Sequence, residues 1–446
     1  MSATNENQSQ YKITQAYITS ESLGGDVDPS ARINVNSSIV EIVFFESLEK
    51  AYISGQIAIT DDQGFVDGIG FSGTERLFIE MASEDPSLQP IMSRTFIMTG
   101  IDQAIKSNDA GQASVYVFTI IDEHAFLNRT KKISRSLTDS LENEIMKLCI
   151  QDLGKKIDAS YLYPSIQNNV KVLIPYMYPL EACEWLRDRA TTVNGCPLFL
   201  YASIHDDNLR LGSLDKMLEQ RPWNEQLPYL YSPSNVKQTE EKSPLHRTMQ
   251  VQSIRTAKMQ NTLKQLVSGG IGSVYNNTNL GTGQISSQHF DVTKVLKKLS
   301  DNEIIPDSKN QNVYPEEFKI NEDHLHNKDA KIFHQITSTG TYGTWKSYHD
   351  ELKPGTFTVK VGNYALRNML YKNMFEVTVP GAGFIISGAS VGDMVTINTI
   401  SDDGDTTTNA TLDRLRSGDF LIYNVRHTFK NTRHDVVMSV CKLVRG

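Results

Sequence analysis

Cysteine and tryptophan are scarce, with four and three copies in 446 residues, and basic side chains do not outnumber acidic ones. Each shortage excludes something. Cys149, Cys183, Cys196 and Cys441 lie far apart without CxxC spacing, which rules out a disulfide-dense scaffold or a cysteine zinc site. They read as small buried hydrophobes of a chain made in a reducing cytoplasm. Forty-four Lys and Arg against 52 Asp and Glu leave a net charge of −8, the wrong sign for a face that neutralises phosphates, so no specific nucleic-acid binding is expected. No apolar run approaches the roughly 18 residues that span a bilayer. The start, MSATNENQSQ, lacks a basic stretch followed by an apolar one, so neither targeting nor membrane insertion is expected. HExxH is absent and no serine stands in a recognisable nucleophile-elbow context, so no hydrolase signature is expected.

What is present is a globular composition, 39% hydrophobic and 9% aromatic, long enough for about three domains at roughly 150 residues each. Residues 11–121 read as strands at short spacing, among them Ile39–Phe45, Tyr52–Thr60, Leu77–Met81, Phe96–Ile101 and Val115–Ile121. That pattern predicts one all-β domain over 1–128, a small antiparallel barrel or sandwich. The period then changes. Asp139-Ser-Leu-Glu142 opens an amphipathic helix ending near Gly154, and Pro179 opens a second with Leu180, Cys183, Leu186 and Ala190 on one face. With strands around them, 129–220 reads as a small α+β insertion. Residues 221–300 read as a proline-containing connector and the start of a second barrel, 301–345 as an extended polar loop or arm, and 346–446 as a helix and the remainder of that barrel.

One internal comparison predicts duplication. Gly64 and Gly73 stand nine residues apart between the strands Gln56–Thr60 and Leu77–Met81; Gly383 and Gly392, also nine apart, stand between Phe375–Val379 and Met394–Ile397. These four are read as structural turn glycines. Phe96-Ile-Met-Thr-Gly-Ile101 matches Phe420-Leu-Ile-Tyr-Asn-Val425, and a turn and closing strand follow each.

The strand-turn-strand "SGQIAITDDQGFVDGIGFSGTERLFIEM", the lead "HAFLNRTKKISRSLTDSLENEIMKLC", the helix "YPLEACEWLRDRA" before "GCPLFLYAS", and the closing "SGDFLIYNVRHTF" and "VVMSVCKLVRG" together carry a resemblance. The chain resembles the central hub protein of contractile phage tail baseplates, related to the hub portion of type VI secretion spike proteins. The resemblance implies a mainly β fold with α+β insertions: two similar antiparallel, tail-tube-like β-barrels plus a small α+β domain. It further implies a homotrimer whose ring of six barrels adapts a hexameric tail tube to a trimeric central spike. The expected place is the virion's tail baseplate, with the tail tube protein, the spike, the tape measure and surrounding baseplate proteins as partners. If that ring is the DNA exit path, the net charge of −8 suits a lumen that repels phosphates. The alternatives are a tail-associated cell-wall or polysaccharide hydrolase, and a host-receptor or carbohydrate-binding module.

The remaining constellations read as structure. Gly68-Ile-Gly-Phe-Ser-Gly73 fits GxGxxG but opens a strand rather than a helix, so it reads as a turn and not a dinucleotide site. His324 and His326 form half of a metal site at most and read as solvated, and no cofactor or metal is expected. His427 and His434 flank the last turn without a nucleophile, and carboxylate pairs among 52 acids carry no signal, so no catalytic residue is assigned. Trp185 reads as core, whereas Trp223 and Trp345, on irregular segments, are candidate anchors in a neighbouring subunit.

Overall fold

The structure, a computed structural model, describes residues 11–21, 24, 29–83, 91–105, 114–165, 172–232, 249–256, 262–281, 283–305, 319–337, 356–371, 374–400, 412–413 and 416–443. In chain order its strands begin with β1 (Tyr11–Thr19), β2 (Ile33–Asn34), β3 (Ile39–Ser47), β4 (Ser54–Asp61), β5 (Glu75–Ser83), β6 (Met92–Ile105) and β7 (Ser114–Asp122). Then come β8 (Ser136–Leu137), β9 (Ile157–Asp158), β10 (Val172–Leu173), β11 (Leu198–Ala202), β12 (Leu209–Ser213), β13 (Tyr229–Tyr231) and β14 (Ser253–Thr256). They continue with β15 (Gly272–Asn279), β16 (Gln284–Asp291), β17 (Lys319–Ile320), β18 (Asp323–His324) and β19 (Ile332–Thr337), and end with β20 (Phe375–Pro380), β21 (Met394–Thr399), β22 (Gly418–Lys430) and β23 (Arg433–Cys441).

Alternate residues of β4, β5, β7 and β23 are buried while their neighbours are more open, as in an antiparallel sheet with one face on a core. These strands belong to one 13-stranded sheet, in the order β14-β20-β23-β22-β3-β4-β7-β6-β5-β1-β2, with β21 on β22 and β13 on β21. The order repeats within it. Strands β3-β4-β7-β6-β5 pair antiparallel in that sequence, and so do β14-β20-β23-β22-β21. A short helix follows the second strand of each set, Phe65–Ile69 in one and Ala382–Ser387 in the other. The fourth strands are bulged at matching places, between Met98 and Gly100 in β6 and between Ile422 and Asn424 in β22. The two sets join because β22 changes partner at its bulge: residues 418–421 pair with β21, and residues 424–430 pair with β3.

The insertion carries the helices Leu141–Leu153 and Pro179–Arg187 and the small sheets β8-β10 and β9-β12-β11. Strand β11 is buried on both faces. Leu198, Leu200 and Ala202 pack into the core under β3–β7, while Phe199 and Tyr201 pack into the core under β20–β23, so the insertion is a wall shared by both sets. All four cysteines are free and buried.

Part of the chain differs from the sequence expectation. Strands β15, β16 and β19 form a separate three-stranded sheet in which β19 runs parallel to β15, Val274 opposite Ile332, so the segment read as an extended arm contributes a strand. The helix Val292–Asp301, capped by Asp291 and burying Val292, Leu296 and Leu299, follows β16 within the segment read as connector and start of the second barrel. The runs GSVYNNTN and QISSQHFD are too polar for alternation to be visible, and their pairing comes from tertiary contacts.

Candidate functional site: the seam between the two strand sets

Gly73 and Gly392 occupy the same turn in the two sets, just before β5 and β21, with φ of 85° and 88° that a side chain disfavours. The other glycine pair is corrected. Gly64 is the N-cap of Phe65–Ile69, but the N-cap of Ala382–Ser387 is Gly381, and Gly383 lies inside that helix. Gly383 is required for packing rather than for the turn: a Cβ there would stand 2.5 Å from the Tyr229 hydroxyl and 2.9 Å from the Trp223 ring. In the GxGxxG stretch, Gly70 ends the first helix and Gly73 leads into β5, so no helix N-terminus faces a phosphate.

The seam where β3 meets β22 holds two polar knots, one buried and one half-buried. The first centres on Glu46, opposite Val425. Its carboxylate accepts from the Ser390 hydroxyl at 2.9 Å and from the Ile204 amide, and His427 Nε2 lies 3.7 Å away. Burial alone would raise the Glu46 carboxyl, but the His427 bond and charge, the His205 charge and the Ile204 amide together hold it below its ordinary value. His427 Nδ1 lies 3.0 Å from His434 Nε2. Burial, reinforced by the His427 and His205 charges, pushes His434 well below the usual histidine range, and one of the two facing nitrogens donates to the other. The His434 ring stacks on Phe429 at 4.2 Å and covers Gly381, where a Cβ would fall 2.0 Å from Nδ1.

The second knot centres on Glu49, just past β3. Arg367 Nη1 donates to both its oxygens, at 2.9 and 2.7 Å, the Tyr423 hydroxyl donates at 2.8 Å, and Arg187 stands 3.3 Å away. Arg367 also reaches the Leu198 carbonyl, and Asn363 of the same helix, Thr356–Leu370, donates to Ala190 O at 3.1 Å. Burial, with Arg187 adding to it, lowers the Arg367 pKa. One carboxylate therefore ties the first strand set, the insertion and the second set together. Sequence reasoning missed both knots because their partners lie up to 374 positions apart; the signal available was a second acid, Glu46, in the apolar run IVEIVFFES.

Trp223 is half-buried within its own chain, edge-on to Tyr229 at 5.7 Å and Phe384 at 6.2 Å. Its open side lines a cleft of about 330 Å³ with Asp158, Arg210, Gln220 and Asp393. Trp345 lies outside the described residues. Asp393 accepts from the Ser390 amide at 2.8 Å. Glu75 does the same for Ser72 in the first set, at 2.9 Å, so Asp393 holds a turn that both sets possess. His324 and His326 have rings 5.2 Å apart around the buried Leu325, and among the described residues no group of three His, Cys, Asp or Glu side chains could hold a metal. No helix among them is long and apolar enough to cross a membrane.

No protein-family profile matches the chain, and no curated protein does. Solved structures do. The chain is similar to a tail protein from Neisseria meningitidis, with a TM-score of 0.51 and 10% identity over 97% of this chain and 96% of that one. It is similar to a 43 kDa tail protein of prophage MuSo2 from Shewanella oneidensis, with a TM-score of 0.47 and 11% identity over 96% and 98% of the two chains. It is also similar to an E. coli type VI secretion component, itself described as like T4 bacteriophage tail proteins, with a TM-score of 0.43 and 11% identity over 97% and 76%. These neighbours are phage tail and type VI secretion proteins, the group the sequence resembles, and the Neisseria structure establishes a shared fold.

Proposed function

We propose that the chain is the structural hub of a phage tail baseplate, not an enzyme, and that three copies form a ring between a hexameric tail tube and a trimeric spike. The observation that carries this is the repeated strand order, β3-β4-β7-β6-β5 and β14-β20-β23-β22-β21, locked at one relative orientation by the Glu46 and Glu49 knots. One chain with two equivalent sheets and unequal additions offers six similar contacts per trimer on one side and three distinct ones on the other. The tail-protein fold supports the same reading. Tail tube, spike and tape measure are the partners it implies, in a virion tail.

Light scattering on the purified chain, alone and with the neighbouring spike candidate, tests this. The expected mass is three times 50.0 kDa in at least one condition. A monomer in both overturns the reading. The hydrolase alternative would draw on Asp158 and Asp393 in the cleft, but the turn-holding role shared by Asp393 and Glu75 accounts for that acid without catalysis.

A further inference from the structure

The joint between the two strand sets has an unfilled counterpart at each end of the chain. Residues 424–430 of β22, past its bulge, take β3 as a partner. The matching stretch of β6, residues 99–105 past the shared bulge and with a further bulge of its own between Ile101 and Gln103, pairs with β7 on one edge, and no strand among the described residues pairs with the other. Ile101 and Ile105 stand there 39% and 60% exposed. The counterpart of β3 in the second set is β14, which pairs with β20 and, among the described residues, has its outer edge unpaired. One chain thus carries one bulged-strand edge and one first-strand edge, of the two kinds it already joins internally. Open edges of this sort template pairing with another chain.

We infer that β6 of one copy pairs antiparallel with β14 of the next, repeating between chains the β22–β3 joint found within each. The occupant is a second copy of this chain, because the fitting strand is already used once in the molecule. The ladders fix the register. Val43 faces Gln56 on β4, and Arg255 faces Glu376 at the same place on β20. Ile105 faces Val115 on β7, and Thr428 faces Asp435 at the same place on β23. Since Thr428 lies opposite Val43 within the chain, Ile105 lies opposite Arg255 of the neighbouring copy. Such a contact is heterologous, using different surfaces of the two copies, and propagates around a ring rather than closing a two-fold dimer. The inference rests on the hub reading for the presence of that neighbour.

The test is a double variant, Ile105→Cys with Arg255→Cys, oxidised with copper phenanthroline. Paired residues in an antiparallel ladder have Cα atoms about 4.5–5.5 Å apart, within disulfide reach. The native cysteines are buried and leave a low background. On non-reducing gels the expected shift is to two and three times the chain mass, with each single variant unshifted. The out-of-register pair Ile105→Cys with Ser253→Cys should stay near the single-variant background. Light scattering of the reduced double variant reports whether it still assembles. Assembly without cross-links overturns the strand pairing and leaves the hub reading standing; absence of assembly, in wild type as well and with the spike present, overturns both.

Discussion

Asp393 is a carboxyl group held in a buried turn, and burial, only partly offset by the Ser390 amide and Arg210, pushes its pKa up to about 6. In the unfolded chain the same group titrates near 3.9. Between those values the unfolded state loses its proton first, so Asp393 removes stability as pH rises from about 4 to about 6, on the order of 3 kcal/mol by the end. Asp393→Asn, which keeps an oxygen for the Ser390 amide, should be more stable than wild type at pH 7 and equal to it near pH 4. His124, His205 and His434, each lowered chiefly by burial, act the other way, costing stability as pH falls below about 6.5. Thermal unfolding of both proteins across pH isolates Asp393 in their difference; a constant difference would show that its carboxyl is not perturbed. Two glycines that cap equivalent helices should separate in a similar way. Gly381→Ala drives a Cβ into His434 and should cost about 1–3 kcal/mol in urea unfolding, whereas Gly64→Ala meets no atom within 4 Å and carries only the strain of φ 71°, about 1 kcal/mol. Equal costs would contradict the role given to His434.

Among the elements, β11 and the Glu49 knot decide whether the chain unfolds as one body. Glu49 is 25% exposed and its partners Arg187 and Arg367 are 8% and 12% exposed, so Glu49→Ala removes the carboxylate the two guanidiniums share and leaves Asp188 as the acid beside them, at a cost of up to about 3–5 kcal/mol. Because β11 stands between the two cores, Phe199→Ala and Leu200→Ala, one in each, should lower a single shared transition, by about 2–5 kcal/mol apiece. Two separated transitions in calorimetry would mean that the wall does not couple them. The elements also mark where the sequence was readable. The helix after Asp139 was legible because Ser140 caps it and Gly154, at φ 66°, ends it; the reciprocal acid is Glu144, which accepts from the Asp139 amide, while Glu142 turns to Ser165. The duplication was legible as well, since glycines and apolar alternation are local. Gly383 was mistaken for a turn residue because spacing alone cannot tell a cap from a close approach. The β15-β16-β19 sheet and the seam were not legible, because their partners are set by tertiary pairing and leave no periodicity.

At the scale of the whole molecule, the net charge of −8 contrasts with a paired arrangement on part of the main sheet. There Glu41 pairs with Lys430 at 2.8 Å, Arg433 with Asp435 at 3.0 Å, and Arg255 stands opposite Glu376 in the ladder. These acids and bases cancel pairwise, so this part of the face carries little field in either direction. If the proposed hub passes a duplex along this surface, near neutrality serves better than attraction, because every unpaired Lys or Arg would hold a phosphate and release a counterion. The wild-type chain should therefore show no duplex binding at about 150 mM salt in fluorescence anisotropy. Glu41→Lys with Asp435→Lys adds two charges at each position, takes the total from −8 to −4, and frees Lys430 and Arg433 from their partners. That variant should bind duplex DNA at low salt and release it steeply as salt rises, with a log–log slope set by the few phosphates it contacts. Binding by the wild type, or none by the variant at any salt, would show that pairing on this face does not control its contact with DNA.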